Sequence, residues 1–398
     1  MGRLLFITNR NILTTCGELR LIKNRAEVLY RIYRVPSDFI VLASKKRIQE
    51  PNKEKIEAGG EITEMELSQN NPIKALSACW QLEKCIEKKL KTHKYSMVVL
   101  SGLLMPAFAK KIKKKYQIPV VFDIHGALED TKEVVSNAKL LRKMIFYTVY
   151  QLENFILKKA FGYADGCLVV TEALKNYLIE RYPTANKIEY YIVPCATDSV
   201  EITKDDYRRY RIEYREKYGI TSEEKVFVYS GGVSVWQCID ETIALYKALQ
   251  TRLNQPTKMF LFSHDYETIK KKVGEDKNFI IDSYTPNELQ KVLCAADVAF
   301  LLRKECPTNR VAFPNKFLEY VKSGLSIITT PYVEEISRQV QENDIGYIYG
   351  MDQKIGRLLK VIKSDKQGDF DYEKVEKIIL RNSFENRLKS FAKRCKDV

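Results

Sequence analysis

The feature that most constrains the fold is a regular alternation between short apolar runs and longer amphipathic segments. Runs such as VVFDI (120–124) and KVFVYS (225–230) are short and rich in β-branched or aromatic residues, as buried strands are. Between such runs lie segments such as GELRLIKNRAEVLYRIYR (17–34), whose apolar residues recur at helical spacing. Strands that alternate with helices form parallel sheets covered by helices on both faces. The residues therefore predict the α/β class.

This alternation occurs twice along the chain. A chain of 398 residues exceeds what a single hydrophobic core normally holds. The strand–helix pattern becomes polar and charged over residues 198–211 and then restarts at the strand KVFVYS. We interpret the polar stretch as an interdomain linker. The sequence thus predicts two α/β domains, each with its own sheet.

Composition excludes several kinds of site. No run of 18 apolar residues is present, and the first residues, MGRLLFITNR, lack the features of a signal peptide. The nine cysteines include no CxxC pair and only three histidines occur, so no metal site is predicted. Together these features predict a cytoplasmic protein with reduced thiols.

The formal net charge of +15 favours an anionic partner, although solvated lysines alone would also account for it. The lysine-rich run KKIKKK (110–115) favours a partner. The apolar, aromatic and basic segment 140–161 either lies on an anionic membrane surface or packs into the core. No nucleic-acid-binding motif is present, so nucleic acid is not predicted as a partner.

Residues suited to ligand binding follow three of the predicted strands. His125 comes directly after VVFDI, Gly231 and Gly232 follow KVFVYS, and Arg303 follows VAFLL. In doubly wound sheets, ligands bind beyond the carboxyl ends of the strands. His125 could contact a sugar hydroxyl or a leaving phosphate, but it could equally be a structural histidine. The glycine pair could admit a phosphate to the backbone or simply form a tight turn.

Carboxylates flank His125 on both sides. Asp123 precedes it, and Glu129 and Asp130 follow it. One of them could orient the histidine or an acceptor, but no pair with an evident general-base role is present. Acids at the protein surface are the more common interpretation of such residues.

The stretch FPNKFLEYVKSGLSIITT (313–330) is the most informative part of the sequence. Pro314 suits the first turn of a helix, and free N–H groups from Asn315 onward favour an anion. Lys316 and Glu319 share a helix face, where they could form an ordinary ion pair. Alternatively, the lysine holds a phosphate while the glutamate accepts hydrogen bonds from ribose hydroxyls. That division of roles fits a nucleoside diphosphate.

Together with DIHG (123–126), YSGG (229–232) and ELQKVLCAADVAFLLR (288–303), this stretch makes the chain resemble retaining glycosyltransferases of the GT-B fold, family 4-like (glycosyl transferases group 1). The resemblance implies two Rossmann-like domains that face each other across a cleft. It implies an acceptor domain at 1–200, a donor domain at 201–375, and a C-terminal helix (376–398) that crosses back to the acceptor domain. It also implies a nucleotide-sugar co-substrate, no cofactor and no metal.

The resemblance also assigns roles to individual residues. Glu319 corresponds to the glutamate that binds the donor ribose, and His125, the expected catalytic residue, to the histidine beside the donor sugar. Gly231 and Gly232 correspond to the turn beneath the diphosphate, and Gly17 to a glycine loop near the phosphates. The expected donor site comprises Gly231, Gly232, Arg303, Phe313, Asn315, Lys316 and Glu319.

The chain departs from the family pattern at three places. Members often carry a second glutamate where this chain has Val311, and a glycine where it has Pro314. The arginine and lysine that usually follow the glycine turn are missing, and Gln237 lies near the place of the second. Arg303 and Lys316 then become the best candidates for neutralising a diphosphate.

The predicted function is transfer of a sugar from a nucleoside diphosphate sugar, expected to be a UDP-sugar, to a glycan or lipid-linked acceptor with retention of configuration. The resemblance implies a role in bacterial surface polysaccharide synthesis. A cytoplasmic protein of this kind could associate peripherally with the inner face of the membrane. Three alternatives stay open: a sugar-nucleotide 2-epimerase of the same fold, a non-catalytic polyanion-binding protein, and an inactive relative. Conversion of a free UDP-sugar without an acceptor would indicate the epimerase, and salt-sensitive retention on polyanions would indicate the second.

Overall fold

The computed structural model describes residues 2–14, 16–44, 53–66, 72–135, 138–196, 202–350, 355–364 and 371–397. The chain divides into two compact units. The first, called the N-terminal unit, comprises Met1–Pro194 and Ser383–Val398, and the second, called the C-terminal unit, comprises Cys195–Asn382. Each unit contains one sheet, and all described strand pairs are parallel. The predicted α/β class is confirmed.

The sheet of the N-terminal unit has seven strands in the order β3-β2-β1-β4-β5-β6-β7. The strands are β1 (Leu4–Asn11), β2 (Ser37–Leu42), β3 (Gly59–Met65), β4 (Met97–Ser101), β5 (Val120–Ile124), β6 (Gly166–Val169) and β7 (Glu189–Ile192). The helices that precede the second unit are α1 (Gly17–Arg31), α2 (Pro72–Thr92), α3 (Ala109–Lys111), α4 (Asp130–Glu133), α5 (Leu140–Ala160) and α6 (Glu172–Arg181). Short 3-10 or π-helical turns occupy Met105–Phe108, Ile112–Tyr116, Phe161–Tyr163 and Pro183–Lys187.

Burial explains which strands the sequence predicts. Every residue of β2, β4 and β5 is buried, so the sequences of these strands are mostly apolar. Strand β3 is the exception, because it lies at the sheet edge, pairs only with β2 and has no fully buried residue. Its sequence, GGEITEM, therefore carries no continuous apolar run that would predict a strand.

The sheet of the C-terminal unit has six strands in the order β10-β9-β8-β11-β12-β13. The strands are β8 (Lys225–Ser230), β9 (Thr257–Phe262), β10 (Phe279–Asp282), β11 (Val298–Leu301), β12 (Ser326–Thr329) and β13 (Gly346–Ile348). The helices are α7 (Lys204–Lys217), α8 (Ile239–Gln250), α9 (Tyr266–Val273), α10 (Pro286–Leu293), α11 (Pro307–Arg310), α12 (Lys316–Lys322), α13 (Glu334–Glu342), α14 (Gly356–Ser364) and α15 (Tyr372–Asn382), with a 3-10 turn at Val235–Gln237. The strand order reverses between β8 and β11, which is where doubly wound sheets open a crevice for ligands.

Most of the predicted linker is a helix. Thr203 and Asp206 form a reciprocal capping box that starts α7, so the segment from residue 204 onward is helical. Arg211 and Arg215 of this helix donate hydrogen bonds to the carbonyl oxygens of Ala296 and Ala295, at 2.8 and 3.0 Å. The polar composition of the segment reflects arginines that bind the turn between α10 and β11 rather than a solvated connection. Residues 198–201 of the predicted linker lie outside the described residues.

The C-terminal segment forms two helices rather than the single helix predicted over 376–398. Helix α15 ends at Asn382 and packs on α12 in the C-terminal unit. Helix α16 (Phe384–Asp397) packs on α1 and β7 in the N-terminal unit, where Phe391 lies edge to face with Tyr191 at 5.0 Å between ring centres. The chain therefore returns to the first unit at Ser383.

Candidate functional site

The C-terminal unit brings several of the predicted residues to its switch point. Strand β8 ends at Ser230, and the N–H of Gly231 donates to the carbonyl of Phe262 at the end of β9. Gly231 has φ +132°, and a Cβ atom there would overlap the Nζ atom of Lys316. Glycine is required here for two reasons, since the backbone is left-handed and a lysine head group lies directly against it.

The ammonium group of Lys316 is held by neutral partners. It donates to Gln237 Oε1 at 2.9 Å and lies 4.4 Å from the centre of the Tyr229 ring. Burial lowers the pKa of Lys316 well below its ordinary value, and repulsion from Arg303 adds to the effect, while Glu319 opposes it. Among the described residues, no carboxylate lies within ion-pair distance of this ammonium.

Arg303 is a second cation of the same kind. Its side chain is buried and follows β11, where Nη1 donates to the carbonyl of Leu302 at 3.0 Å. Its backbone N–H donates to Thr330 Oγ1 at 3.1 Å, which fixes the segment. In the part of the chain that the structure describes, no carboxylate pairs with this guanidinium. Because burial of an unpaired charge is costly, two such neighbouring cations favour a bound anion.

Two tyrosines shape this site. The hydroxyl of Tyr229 lies within hydrogen-bonding distance of Gln237 Oε1, at 2.7 Å, and of the Gly232 carbonyl. The hydroxyl of Tyr320 accepts hydrogen bonds from the Ser230 N–H at 2.9 Å and from the Ser230 hydroxyl. Both tyrosines are fully buried and stand at positions that read as ordinary core in the sequence. No sequence signal identified them.

The other four residues of the predicted donor site, Glu319, Phe313, Asn315 and Gly232, differ from one another in burial and contacts. Glu319 lies one turn after Lys316 on α12 and is half-buried. Phe313 is buried and packs edge to face on Phe317, with 5.9 Å between ring centres, so it has a core contact. Asn315 is exposed and precedes α12 without capping it through its side chain. Gly232 has an ordinary backbone conformation and room for a Cβ atom.

Pro314 and Val311 are the two other positions of this stretch that the sequence analysis discusses. Pro314 lies before the helix rather than in its first turn, because α12 begins at Lys316. Its carbonyl accepts the Phe317 N–H at 3.0 Å. Val311, at the place of the family's second glutamate, is fully buried and offers no polar side-chain group.

In the N-terminal unit, His125 lies directly after β5 and is almost fully buried, with 7% of its side chain exposed. Its Nε2 atom is 2.9 Å from Asp123 Oδ1, although this contact lacks the alignment of a hydrogen bond. Within the described residues, neither ring nitrogen has a well-aligned hydrogen-bond partner. Buried polar groups are normally hydrogen-bonded, so the ring nitrogens of His125 are an exception.

Asp123 is the centre of the network around His125. Its carboxylate accepts hydrogen bonds from Arg25 and, at 3.0 Å, from the Ser101 hydroxyl. Burial alone would raise the pKa of Asp123, but the neighbouring His125 and Arg25 lower it to about 2. The interpretation of this acid as a surface residue was therefore wrong. Arg25 is fully buried, and sequence analysis missed it because it lies on α1, far from β5 in the chain.

The other two acids near His125 also differ from each other. Glu129 is buried and pairs with Arg181 at 2.9 Å, so the surface interpretation was wrong for it as well. Asp130 is exposed to solvent. Gly17 is exposed in the first turn of α1, and a Cβ atom there would touch nothing within 4 Å. The geometry therefore places no special requirement on glycine at position 17.

Among the described residues, one group of three side chains could in principle hold a metal ion: Asp38, Glu61 and His93. Asp38 already accepts hydrogen bonds from Arg3, at 3.1 Å, and from the Tyr95 hydroxyl, at 2.6 Å. Glu61 forms an ion pair with Lys89 at 2.7 Å. These carboxylates are neutralised by the protein's own cations, and Asp38 lies at the start of β2, opposite the edge where ligands bind.

The sequence matches no protein-family model and no curated protein. Its structure is similar to that of WaaB, a lipopolysaccharide outer core galactosyltransferase, with a TM-score of 0.66, 14% identity and 99% of each chain covered. It is similar to Anabaena HepE in complex with UDP, with a TM-score of 0.65, 11% identity and 100% of each chain covered. It also resembles an E. coli trehalose-6-phosphate structure bound with UDP-2-fluoro glucose, with a TM-score of 0.64, 11% identity, and 100% of this chain and 99% of that chain covered.

These similarities extend over the whole chain and both sheets. The neighbours include two-domain GT-B glycosyltransferases, and this chain has the seven- and six-stranded parallel sheets of that fold. The GT-B fold expected from the sequence is thereby confirmed.

Proposed function

We propose that this protein transfers a sugar from a nucleoside diphosphate sugar to a glycan or lipid-linked acceptor. The observation that carries the proposal is the pair of cations at the β8/β11 switch point, Arg303 and Lys316. Arg303 is buried and Lys316 is partly buried, they repel each other, and neither pairs with a carboxylate among the described residues. A diphosphate supplies the missing negative charge at the place where doubly wound sheets bind nucleotides.

Each residue then has a distinct role in holding the donor. Lys316 and Arg303 neutralise the diphosphate, and Gln237 orients the ammonium through its Oε1 atom. Glu319 accepts hydrogen bonds from the ribose hydroxyls. When the glycosidic bond to the diphosphate breaks, negative charge develops on the leaving phosphate oxygen, and the two cations stabilise it. We propose that these side chains neutralise the diphosphate without a metal ion.

His125 acts on the sugar side of the reaction. Because the pKa of Asp123 is held at about 2, this carboxylate stays ionised at neutral pH, with Oδ1 2.9 Å from Nε2 of the imidazole. We propose that His125 Nδ1, the ring nitrogen that does not face Asp123, hydrogen-bonds a sugar hydroxyl. We propose transfer with retention, in which the leaving diphosphate itself accepts the proton of the attacking hydroxyl.

The donor is proposed to be a UDP-sugar and the pathway surface polysaccharide synthesis. Support for the base comes from HepE, which is in complex with UDP, and from the trehalose-6-phosphate structure bound with UDP-2-fluoro glucose. Support for the pathway comes from WaaB, a lipopolysaccharide galactosyltransferase. The acceptor would then be reached from the inner face of the membrane.

The test is calorimetric titration with UDP, GDP, ADP, TDP and CDP, followed by the sugars of whichever nucleotide binds. We expect one nucleotide to bind in the micromolar range and Glu319→Gln to weaken it by about tenfold, the loss of one or two hydrogen bonds to hydroxyls. Lys322→Ala, at the other end of α12, serves as the matched control and should bind like the wild type. Binding of none of the five nucleotides would contradict the proposal.

A further inference from the structure

Helix α5 has an inner face that is firmly attached to the N-terminal unit. Tyr150, Glu153, Leu157 and Ala160 are buried on this face. The Tyr150 hydroxyl accepts a hydrogen bond from Arg181 at 2.6 Å, and Glu153 accepts one from the Thr131 hydroxyl at 2.7 Å. The helix therefore has a fixed orientation, with its opposite side directed away from the unit.

That opposite side is apolar and exposed. We call it the α5 outer face, and it consists of Leu140, Leu141, Met144, Ile145, Leu152 and Phe155. Each of these side chains is more than half exposed, and Leu140 reaches 75%. Their spacing of three, four and seven residues places them on one side of the helix. A contiguous apolar surface of this kind marks a site of interaction.

The same helix carries exposed positive charge that is not neutralised by ion pairs among the described residues. Its exposed basic residues, together with the residue just before it, are Lys139, Arg142, Lys143, Lys158 and Lys159. Within the described residues none of the five forms an ion pair. The single acid of the helix, Glu153, lies on the inner face. The outer face is thus an apolar surface bordered by unpaired cations.

The lysine run 110–115 differs in this respect. Lys111 pairs with Glu83 and Glu87 at 2.7 and 2.6 Å, Lys115 pairs with Glu87 at 3.1 Å, and Lys113 pairs with Asp165 at 2.5 Å. Most of this positive charge is therefore balanced inside the protein. The expectation that the run marks a partner site is not supported by these contacts, whereas the exposed basic residues of α5 form no ion pair within the described residues.

We propose that the α5 outer face docks onto an anionic lipid surface. No helix among the described residues is long and apolar enough to cross a bilayer. An apolar face bordered by basic residues is instead the composition of helices that lie in the membrane interface. A second copy of this chain fits the face less well, because pairing two such helices would bring their unpaired cations together without counter-charges. Anionic headgroups supply those counter-charges.

This docking, which rests on the proposed function, identifies the acceptor as a membrane-borne one. The segment after His125 is attached directly to the inner face of α5. Glu129 contacts Arg181, which in turn holds Tyr150, and Thr131 donates to Glu153. A helix lying in the membrane interface would therefore hold the His125 segment near the lipid surface. An acceptor whose sugar is carried on a lipid would be presented there.

The experiment is co-sedimentation of the full chain with vesicles of phosphatidylcholine, with and without phosphatidylglycerol. We expect binding to the anionic vesicles and little to the neutral ones. Replacing Arg142→Gln and Lys143→Gln together should lower the partition coefficient by roughly 25-fold, about fivefold per basic side chain. Replacing Met144→Ser and Phe155→Ser together should lower it by tenfold or more. Trp80→Ser, a matched control at an exposed aromatic on α2, should leave it unchanged.

Several outcomes would overturn the docking proposal. They are absence of binding to anionic vesicles, equal binding by the α5 variants and the wild type, and a wild-type dimer that the Met144→Ser/Phe155→Ser variant converts to a monomer without any vesicle binding. Nucleotide titration of the same variants separates this proposal from the proposed function, because the substituted side chains lie in the other unit from the donor site. Retained nucleotide binding would also show that the variants are folded.

Discussion

Replacing Lys316 by methionine separates a binding role from a structural one. Methionine keeps most of the length and the apolar stem of lysine, so it preserves the packing against the Tyr229 ring and over Gly231. What it removes is the ammonium, whose polar contact among the described residues is Gln237 Oε1. That hydrogen bond and the contact with the ring are each worth about 1–2 kcal/mol. Burial and repulsion from Arg303 oppose them, as the lowered pKa of Lys316 indicates.

These opposing contributions predict a small change in stability and a large change in binding. We expect the free energy of unfolding of Lys316→Met to differ from that of the wild type by no more than about 1 kcal/mol. Because the variant site lacks the Lys316 ammonium, it should bind a nucleoside diphosphate more weakly than the wild type by about 3 kcal/mol or more. This corresponds to at least a roughly hundredfold increase in Kd. Urea denaturation measures the first quantity, and calorimetric titration with the nucleotide measures the second.

The comparison can refute the reasoning in either direction. A variant that loses several kcal/mol of stability yet binds the nucleotide with unchanged affinity would show that the ammonium is a structural group. Lys322→Met provides the control for removing a positive charge from the same helix, and it should change neither quantity appreciably. An equal loss of affinity in both variants would indicate a general effect of charge rather than a contact at the switch point.

Three further predictions concern groups whose surroundings the structure defines. Gly231→Ala should lower the free energy of unfolding by about 2 kcal/mol or more in urea denaturation, because φ +132° disfavours a side chain and Lys316 must move, whereas Gly232→Ala should change it by less than about 0.5 kcal/mol. The pKa of Asp123 lies at about 2 in the folded protein, below its ordinary value of 3.8, so its contribution is present above about pH 4 and is lost as the pH falls toward 2. Asp123→Asn should therefore remove about 2 kcal/mol of pH-dependent stability in that window, measured by denaturation at a series of pH values, and a difference between wild type and variant that does not vary with pH would contradict this. Arg25→Met leaves the buried Asp123 carboxylate without its guanidinium partner and should cost about 3–5 kcal/mol, part of which the double variant Arg25→Met/Asp123→Asn should restore.

The fold was predictable where the pattern is local and strong. Strands buried on both faces, such as β5 and β8, are recognisable as mostly apolar runs. The capping box of Thr285 and Glu288 predicts the start of α10. The prediction failed where tertiary contacts override composition. The edge strand β3 has no continuous apolar run, and α7 looked like a linker because its arginines bind carbonyl groups of the turn between α10 and β11.

The site was predictable as a set of residues but not as a set of contacts. Strand ends and a helix start identified His125, Arg303 and Lys316 in sequence. The partners of these residues come from distant segments, so no local pattern reveals them. Arg25, on the first helix of the chain, donates a hydrogen bond to Asp123. Gln237, in the 3-10 turn after β8, accepts a hydrogen bond from Lys316. Both contacts are visible only in the folded chain.

The glycine after β8 shows how the two kinds of information combine. In sequence, Gly231 suggested that a phosphate approaches the backbone, because glycine leaves that space open. In the structure the space beside Gly231 is occupied by the Lys316 ammonium. The glycine therefore acts through the lysine, since its missing Cβ atom lets a cation lie at the end of the central strand. Any side chain at position 231 would displace that cation from Gln237, which is why we expect the glycine and the lysine to behave as one unit in anion binding.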